Sequence, residues 1–194
     1  MPAGRGGAAG FDELREIGSG LGFDVHHVGP VKACDRTVSS SEVRRAIQAG
    51  DLAAAECLLG RRVSVLGTVI PGRGRGRELG FPTVNLDLHR EVRPPMGVYV
   101  SRARIGDGPG LKSVTNVGFR PTSEPVTEGL RPDLLVETHL MEGAGDLYGR
   151  VVEVEFVKKL RDERRFASDE DLIAQIARDV EEARGVLGTT DEHG

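Results

Sequence analysis

From Arg61 to Val157 the chain is written in short apolar runs separated by glycine turns, and no helical repeat intervenes. The runs fall at residues 62–70, 97–105, 111–117, 133–141 and 150–157, and they are rich in Val, Leu and Ile, residue types that suit a half-buried pleated surface. In the last of them Val152, Val154 and Phe156 alternate with Glu153 and Glu155, a period of two that sends apolar side chains to one face and charges to the other. Clusters at 72–74, 94–95, 106–110 and 143–145 supply the Gly and Pro of the turns. Glycine, at 27 of 194 residues, is about twice as common as in an average chain, and its scatter fits many tight turns better than low complexity. Successive strands without helices between them close as an antiparallel barrel or stack as a sandwich. One helix follows, over 169–187. Ser168 is its N-cap, Asp169, Glu170 and Asp171 favour the positive end of its dipole, and Leu172, Ile173, Ile176, Val180 and Ala183 form its apolar face. Gly188 is expected to end it.

Residues 1–60 read differently. The first ten are glycine-rich. Phe11, Leu14, Ile17 and Leu21 have helical spacing over 11–22, with Gly22 as the stop, and 23–28 is expected to be a strand. Ser39 to Ser41 open a second helix that Gly50 closes, and Asp51 caps a third that ends at Gly60. The chain therefore divides into a helical segment at 1–60, a barrel with its helix at 61–187 and a tail at 188–194. The first segment is too short to bury much core alone.

A net charge of −4 argues against binding nucleic acid by bulk charge. No window approaches the roughly 18 apolar residues of a spanning helix, and Met1 to Gly7 carry no apolar core of a secretory signal. A cytoplasmic chain is expected, without membrane, nucleic-acid or obligatory protein partners. Cys34 and Cys57 lie in no C-x-x-C pair, so zinc is not expected, and the compartment predicts two reduced thiols.

Three segments carry residues suited to chemistry. In the first, Gly72, Gly74, Gly76 and Gly80 are interleaved with Arg73, Arg75 and Arg77. Glycines let backbone N–H groups approach a phosphate, and arginines add charge. No Gly-Lys-Ser/Thr follows, so this is not a Walker loop, and Pro82 with the extended 83–86 run opposes a Rossmann helix. The same run also reads as a solvated basic turn. Directly after it, Thr83 and Asn85 are two apart, so on a strand they face the same way and offer two hard oxygens suited to Mg²⁺. A magnesium nucleotide fits such a place, although a T-x-N pair also serves ordinary strand edges. In the second segment, Glu137 and His139 share a strand face opposite Val136, Thr138 and Leu140. A carboxylate so placed can take the proton of an attacking alcohol; a solvated outer face is the plainer reading, and His139 reads as structural. The third, 158–166, mixes charges as solvated faces do, yet Arg161 can close over a ligand.

Taken in order, these motifs are G-R-x-L-G-F-P-T-x-N at 76–85, V-T-N-V-G-x-R-P-T at 114–122, V-E-T-H-L at 136–140, L-Y-G at 147–149 and L-R-x-E-x-x-F at 160–166. The combination resembles the riboflavin kinase domain, the C-terminal half of the bacterial bifunctional riboflavin kinase/FMN adenylyltransferase, over residues 60–187. The resemblance implies a mainly β fold, a six-stranded Greek-key barrel with a C-terminal α-helix, behind a short N-terminal α/β remnant. It implies transfer of the ATP γ-phosphoryl group to the 5′-hydroxyl of riboflavin, giving FMN and ADP, with Mg²⁺ as cofactor. Gly72, Arg75, Gly76 and Arg77 stand where that family wraps nucleotide phosphates, and Asn116 lies in a segment near the nucleotide. Thr83 and Asn85 match the family's P-T-A-N motif for metal and phosphate, with Val84 in place of Ala, so two extra methyls are expected near the nucleotide. Glu137 matches the catalytic base, and Arg161 matches a residue that closes over the flavin.

The N-terminal segment resembles the tail of the family's adenylyltransferase domain, through Gly4 to Gly7, the 11–22 helix and Val38 to Arg44, which match I-S-S-T-x-x-R with Val for Ile and Ser41 for Thr. The H-x-G-H nucleotide signature is missing, since His26-His27-Val28-Gly29 has the wrong spacing. FAD synthesis is therefore expected to be lost. A fragment of the complete bifunctional enzyme, a non-catalytic flavin binder and a single-strand-binding barrel are the rival readings. The last is opposed by the scarcity of aromatics, 6 Phe, 2 Tyr and no Trp, on which bases would stack.

Overall fold

A computed structural model describes residues 9–72, 74–88, 92–119, 134–143 and 145–191. They form two compact units, Met1–Thr37 and Val38–Gly194.

In the first unit α1 spans Ala9–Leu21, and a two-residue hairpin pairs β1, Lys32–Ala33, with β2, Arg36–Thr37. The strand expected at 23–28 does not form. A strand exists through its ladder, and no described residue pairs with that run; instead the Phe23 N–H donates to the Gly18 carbonyl at 3.0 Å, which turns the chain back on α1. Cys34 and Asp35 hold left-handed φ angles of 50° and 58° at the hairpin tip. Cys34 and Cys57 are both disulfide-bonded, not the reduced thiols expected. The expectation came from a compartment rule, which is blind to how the fold places individual sulfurs.

The second unit opens with α2, Ser40–Ala49, and α3, Leu52–Leu59. Ser39 caps α2 by accepting from the Glu42 N–H, Asp51 caps α3 by accepting from the Ala54 N–H at 3.0 Å, and Gly50 and Gly60 end the two helices in the left-handed conformation. The strands are β3 (Ser64–Ile70), β4 (Thr83–Leu88), β5 (Gly97–Ile105), β6 (Gly110–Phe119), β7 (Leu134–Leu140) and β8 (Val151–Arg161). They close as a barrel in the order β3-β4-β7-β6-β5-β8, every pair antiparallel. β5, β6 and β7 are sequential neighbours and β4 returns beside β7, which is the Greek-key arrangement. A one-turn helix, α4 (Arg75–Glu78), interrupts the glycine–arginine run that read as an open turn. α5 spans Asp169–Asp191 and passes through Gly188, which was expected to stop it. A glycine costs a helix interior only about 1 kcal/mol, and it terminates one by turning left-handed; Gly188 does not, whereas Gly50 and Gly60 do.

Alternation along the strands makes two cores. Val65, Leu86, Tyr99, Val117, Val136, Val152, Val154 and Phe156 fill the barrel, and Ala46, Ile47, Ala55 and Leu58 of α2 and α3 join the same cluster. On the outer wall Val98, Val100 and Val114 pack against Val180, Ala183 and Leu187 of α5. The barrel also buries hydroxyls, which hydrogen-bond one another: Ser113 to Ser101 at 2.8 Å, Ser101 to Thr115 at 2.7 Å and Thr115 to Thr138 at 3.0 Å. Each needs that partner, because an unsatisfied buried hydroxyl costs about 1–3 kcal/mol. Among the described residues no helix is long and apolar enough to cross a membrane.

Candidate functional site

Along β4, Leu86 belongs to the barrel core and Val84 packs against it, so Thr83 and Asn85 share the outer face. The extra methyls of Val84 thus lie on the interior side, where Val84 stands opposite Thr138, and not beside the two oxygen donors.

Register then assembles the site. Thr83 stands opposite His139 and Asn85 opposite Glu137. Glu137 in turn stands opposite Asn116, Asn116 opposite Val98, and Val98 opposite Arg161. Cross-strand partners project to the same side. One lateral row, Asn85–Glu137–Asn116–Val98–Arg161, therefore crosses five strands on the outer wall, with the Glu137 carboxylate between two carboxamides. Register shifts at Val98/Tyr99 and Val100/Ser101 bend β8 here, as bulges do, and bring Arg161 onto the row. Glu137 is half-buried, unlike a residue on a fully solvated face.

The glycine–arginine run lies against the β4 end of this row. A Cβ on Gly72 would come within 2.7 Å of Asn85 Cγ, and one on Gly76 within 2.6 Å of the Phe81 carbonyl oxygen and 3.0 Å of Thr83 Oγ1. Both positions need glycine for close approach. Arg75 pairs with Asp169 at the start of α5 at 2.5 Å, both side chains being more than half exposed. Such a pair is worth at most about 1 kcal/mol, so an anion displaces it at little cost. Arg77 is exposed on α4. His139, opposite Thr83, has its Nδ1 2.9 Å from the Pro82 carbonyl oxygen, and its ring meets Phe81 edge-on at 5.6 Å. Arg73 and the R-P-T at 120–122 lie outside the described residues.

The donor set suits a hard cation. Thr83 offers an exposed hydroxyl, and Asn85, 7% exposed, offers a carboxamide oxygen on the same face of β4.

Arg161 is held firmly. Its Nε donates to Asp179 Oδ1 and Oδ2 at 3.1 and 3.0 Å, its Nη2 to Oδ2 at 2.7 Å, and its Nη1 to the Asp162 carbonyl at 3.1 Å. Asp179 is 5% exposed, and Gln175 Nε2 donates to its Oδ1 at 2.7 Å. Beyond β8, Glu163 lies over Gly118, where a Cβ would approach its Cδ to 2.9 Å. Sequence reasoning passed over Asp179 and Gln175, and met Glu163 only as part of the 160–166 motif. The signal for Asp179 was a carboxylate inside the apolar stripe of α5, between Ile176 and Val180, a position at which an unpaired charge is not tolerated.

The model for the family described as "Flavokinase: Riboflavin kinase" matches residues 59–187. The bifunctional riboflavin kinase/FMN adenylyltransferase of Escherichia coli strain K12 is 42% identical over 188 residues, 96% of this chain and 58% of that protein. Its Bacillus subtilis counterpart is 37% identical over 151 residues, 77% of this chain and 46% of its own. The chain thus spans about half the length of the curated relatives it matches. A crystal structure described as a macrolide-efflux protein from Streptococcus pneumoniae superposes with a TM-score of 0.71 at 30% identity, covering 87% of this chain and 54% of that one. The outer-wall row and the glycine-rich approach to it lie inside the matched region, and with more than half of the residues under that model the chain belongs to the riboflavin kinase family.

Proposed function

We propose that this chain transfers the γ-phosphoryl group of ATP to the 5′-hydroxyl of riboflavin, giving FMN and ADP, and that residues 61–187 carry the activity. The observation that carries the reading is the cross-strand placement of Glu137 between Asn85 and Asn116, with Thr83 on the same face of β4. Gly72 and Gly76 let the backbone of the 72–77 run lie against the phosphates, and Arg75 and Arg77 offset their charge. Thr83 and Asn85 are the residues that would hold a divalent cation, Mg²⁺ in this reading, which supplies charge neutralisation at the transferring group. Asn116 borders the nucleotide, and Arg161 stands at the flavin end of the row.

The Glu137 carboxylate accepts a hydrogen bond from the 5′-hydroxyl and aims its oxygen at the γ-phosphorus. The new O–P bond forms as the bond to the β–γ bridging oxygen breaks, and ADP leaves with that electron pair. An unperturbed Glu has a pKa of about 4.3, far below an alcohol's, so the hydroxyl proton reaches Glu137 late, once the new bond has acidified it. The catalytic burden rests on positioning and on charge offset more than on the base.

We propose further that the chain works in the cytoplasm and makes no FAD, since its sequence holds no H-x-G-H signature. Pure protein incubated with riboflavin, ATP and Mg²⁺, and resolved by chromatography, is expected to yield FMN without FAD. FAD among the products would refute the second claim, and riboflavin recovered unchanged would refute the first.

A further inference from the structure

The least expected charge in the second unit is Asp179. It lies on the packed side of α5, 5% exposed, next to Val180 of the outer-wall core. Burying a carboxylate costs several kcal/mol even after relaxation, and an apolar side chain here would dock α5 at least as well. What the carboxylate does instead is hold Arg161 by a two-sided fork, both of its oxygens accepting from the guanidinium. Gln175 supports Oδ1 from one turn earlier on the same helix. The fork leaves Arg161 Nη1 on the Asp162 carbonyl and sets the guanidinium carbon 5.8 Å from the Phe166 ring centroid. Arg164 stacks on the same ring at 4.8 Å and reaches Gln175. The arm over residues 162–168 is thereby fixed to α5, and its Glu163 carboxylate is seated on Gly118. Gly118 is two residues from Asn116, on the same face of β6.

We propose that Asp179 is a positioning residue for the flavin substrate: acting through Arg161, it sets the arm that carries Glu163 beside Asn116 and so shapes the flavin end of the row. This rests on the riboflavin phosphotransfer reading. A carboxylate that only docked α5 would leave the two substrates equally affected by its loss. One that works through Arg161 separates them, because Thr83 and Asn85 lie on β4, at the far end of the row.

The test is a double-mutant cycle on the full chain with Asp179→Asn, Arg161→Lys and the pair. It reads KM for riboflavin and for ATP, together with riboflavin Kd from quenching of flavin fluorescence, which needs no turnover. Asp179→Asn is expected to raise riboflavin KM and Kd by about tenfold or more, as loss of one partner of a buried charge pair does, with ATP KM nearly unchanged. The double variant is expected to bind riboflavin no worse than Arg161→Lys alone. Parallel losses for both substrates, additive effects in the pair, or unchanged riboflavin affinity would each overturn the proposal. Should Asp179→Asn fail to fold, Gln175→Ala removes the hydrogen bond donated to Asp179 and the one accepted from Arg164, and leaves the Asp179–Arg161 fork: a weaker shift confined to riboflavin supports the proposal, and none overturns it. Wild-type protein that binds riboflavin without making FMN would sink the phosphotransfer reading while the Kd cycle still tests Asp179; wild-type protein that binds none would sink both.

Discussion

At the scale of single residues, the candidate site is a matter of which atoms neighbouring strands force together. Glu137→Gln keeps the shape and the neighbouring carboxamides while removing the proton acceptor. Turnover is expected to fall by about 10²–10⁴, the usual contribution of a general base, with riboflavin affinity by fluorescence quenching retained; a variant above half of wild-type turnover would remove Glu137 from the role. Gly72 tests the other side of the row. Its missing Cβ leaves room for the Asn85 carboxamide, with Cγ only 2.7 Å from where a methyl would sit. Gly72→Ala must displace Asn85, so KM for Mg²⁺-ATP is expected to rise by about tenfold or more, consistent with the cost of a small misplacement in a site, while KM for riboflavin holds in steady-state kinetics. The residue types at 72–85 and at 137 were legible in the sequence because phosphate, hard cations and proton transfer each demand particular atoms. Asn116 beside Glu137 was not, because 21 positions separate them in the chain and only the β6–β7 register makes them neighbours. The side of the wall that Val84 occupies is hidden for a related reason: composition counts methyls, and the pleat decides where they point.

At the scale of elements, local signals were read well wherever a cap or a strict alternation dictated the answer. The ends of α2 and α3 follow from Ser39, Gly50, Asp51 and Gly60, and β5 spans the expected 97–105. The failures lie where tertiary packing outweighs a local preference. Leu187, fully buried against the barrel, carries α5 past the glycine that was to end it, and the 23–28 run, rich enough in β-formers, has no partner strand among the described residues. The entry to β5 offers a measurable case of packing acting on chemistry. Tyr99 is fully buried, and its hydroxyl donates to the Pro95 carbonyl at 2.6 Å. Burial, with a smaller push from the charge on Asp162, raises its pKa to about 12. The ionised form is disfavoured in the fold, so the unfolded chain loses this proton first, near pH 10. The stability Tyr99 contributes is fully present below pH 10 and is lost as pH rises from about 10 to about 12. Tyr99→Phe is expected to cost about 1 kcal/mol in urea unfolding at neutral pH, the worth of one hydrogen bond, and to flatten the alkaline decline. A decline of wild-type steepness in the variant would assign it to other groups.

At the scale of the whole molecule, the change from helical to strand patterning at Arg61 suggested a domain boundary there, whereas the compact unit begins at Val38. The sequence periodicity reports a change of secondary structure, and a unit is defined by what shares a core. Ala46, Ile47, Ala55 and Leu58 lie in the same buried cluster as Val65, Leu86 and Phe156 of the barrel. Each large apolar side chain removed from such a cluster forfeits about 1.5–3 kcal/mol, and the strand residues left behind are exposed as well. Against a total stability of about 5–15 kcal/mol, a protein beginning at residue 61 would lose much of its margin, while one beginning at 38 would keep α2 and α3 with their caps. The two are to be compared in reducing buffer, so that Cys57 has the same chemistry in both, by thermal unfolding and by FMN formation. The 38–194 protein is expected to unfold cooperatively and to turn over riboflavin at a rate close to that of the full chain. The 61–194 protein is expected to melt at a lower temperature or to aggregate. Equal stability of the two would mean that the contacts of α2 and α3 with the barrel contribute little, and the boundary read from the strand pattern would then be the energetic one.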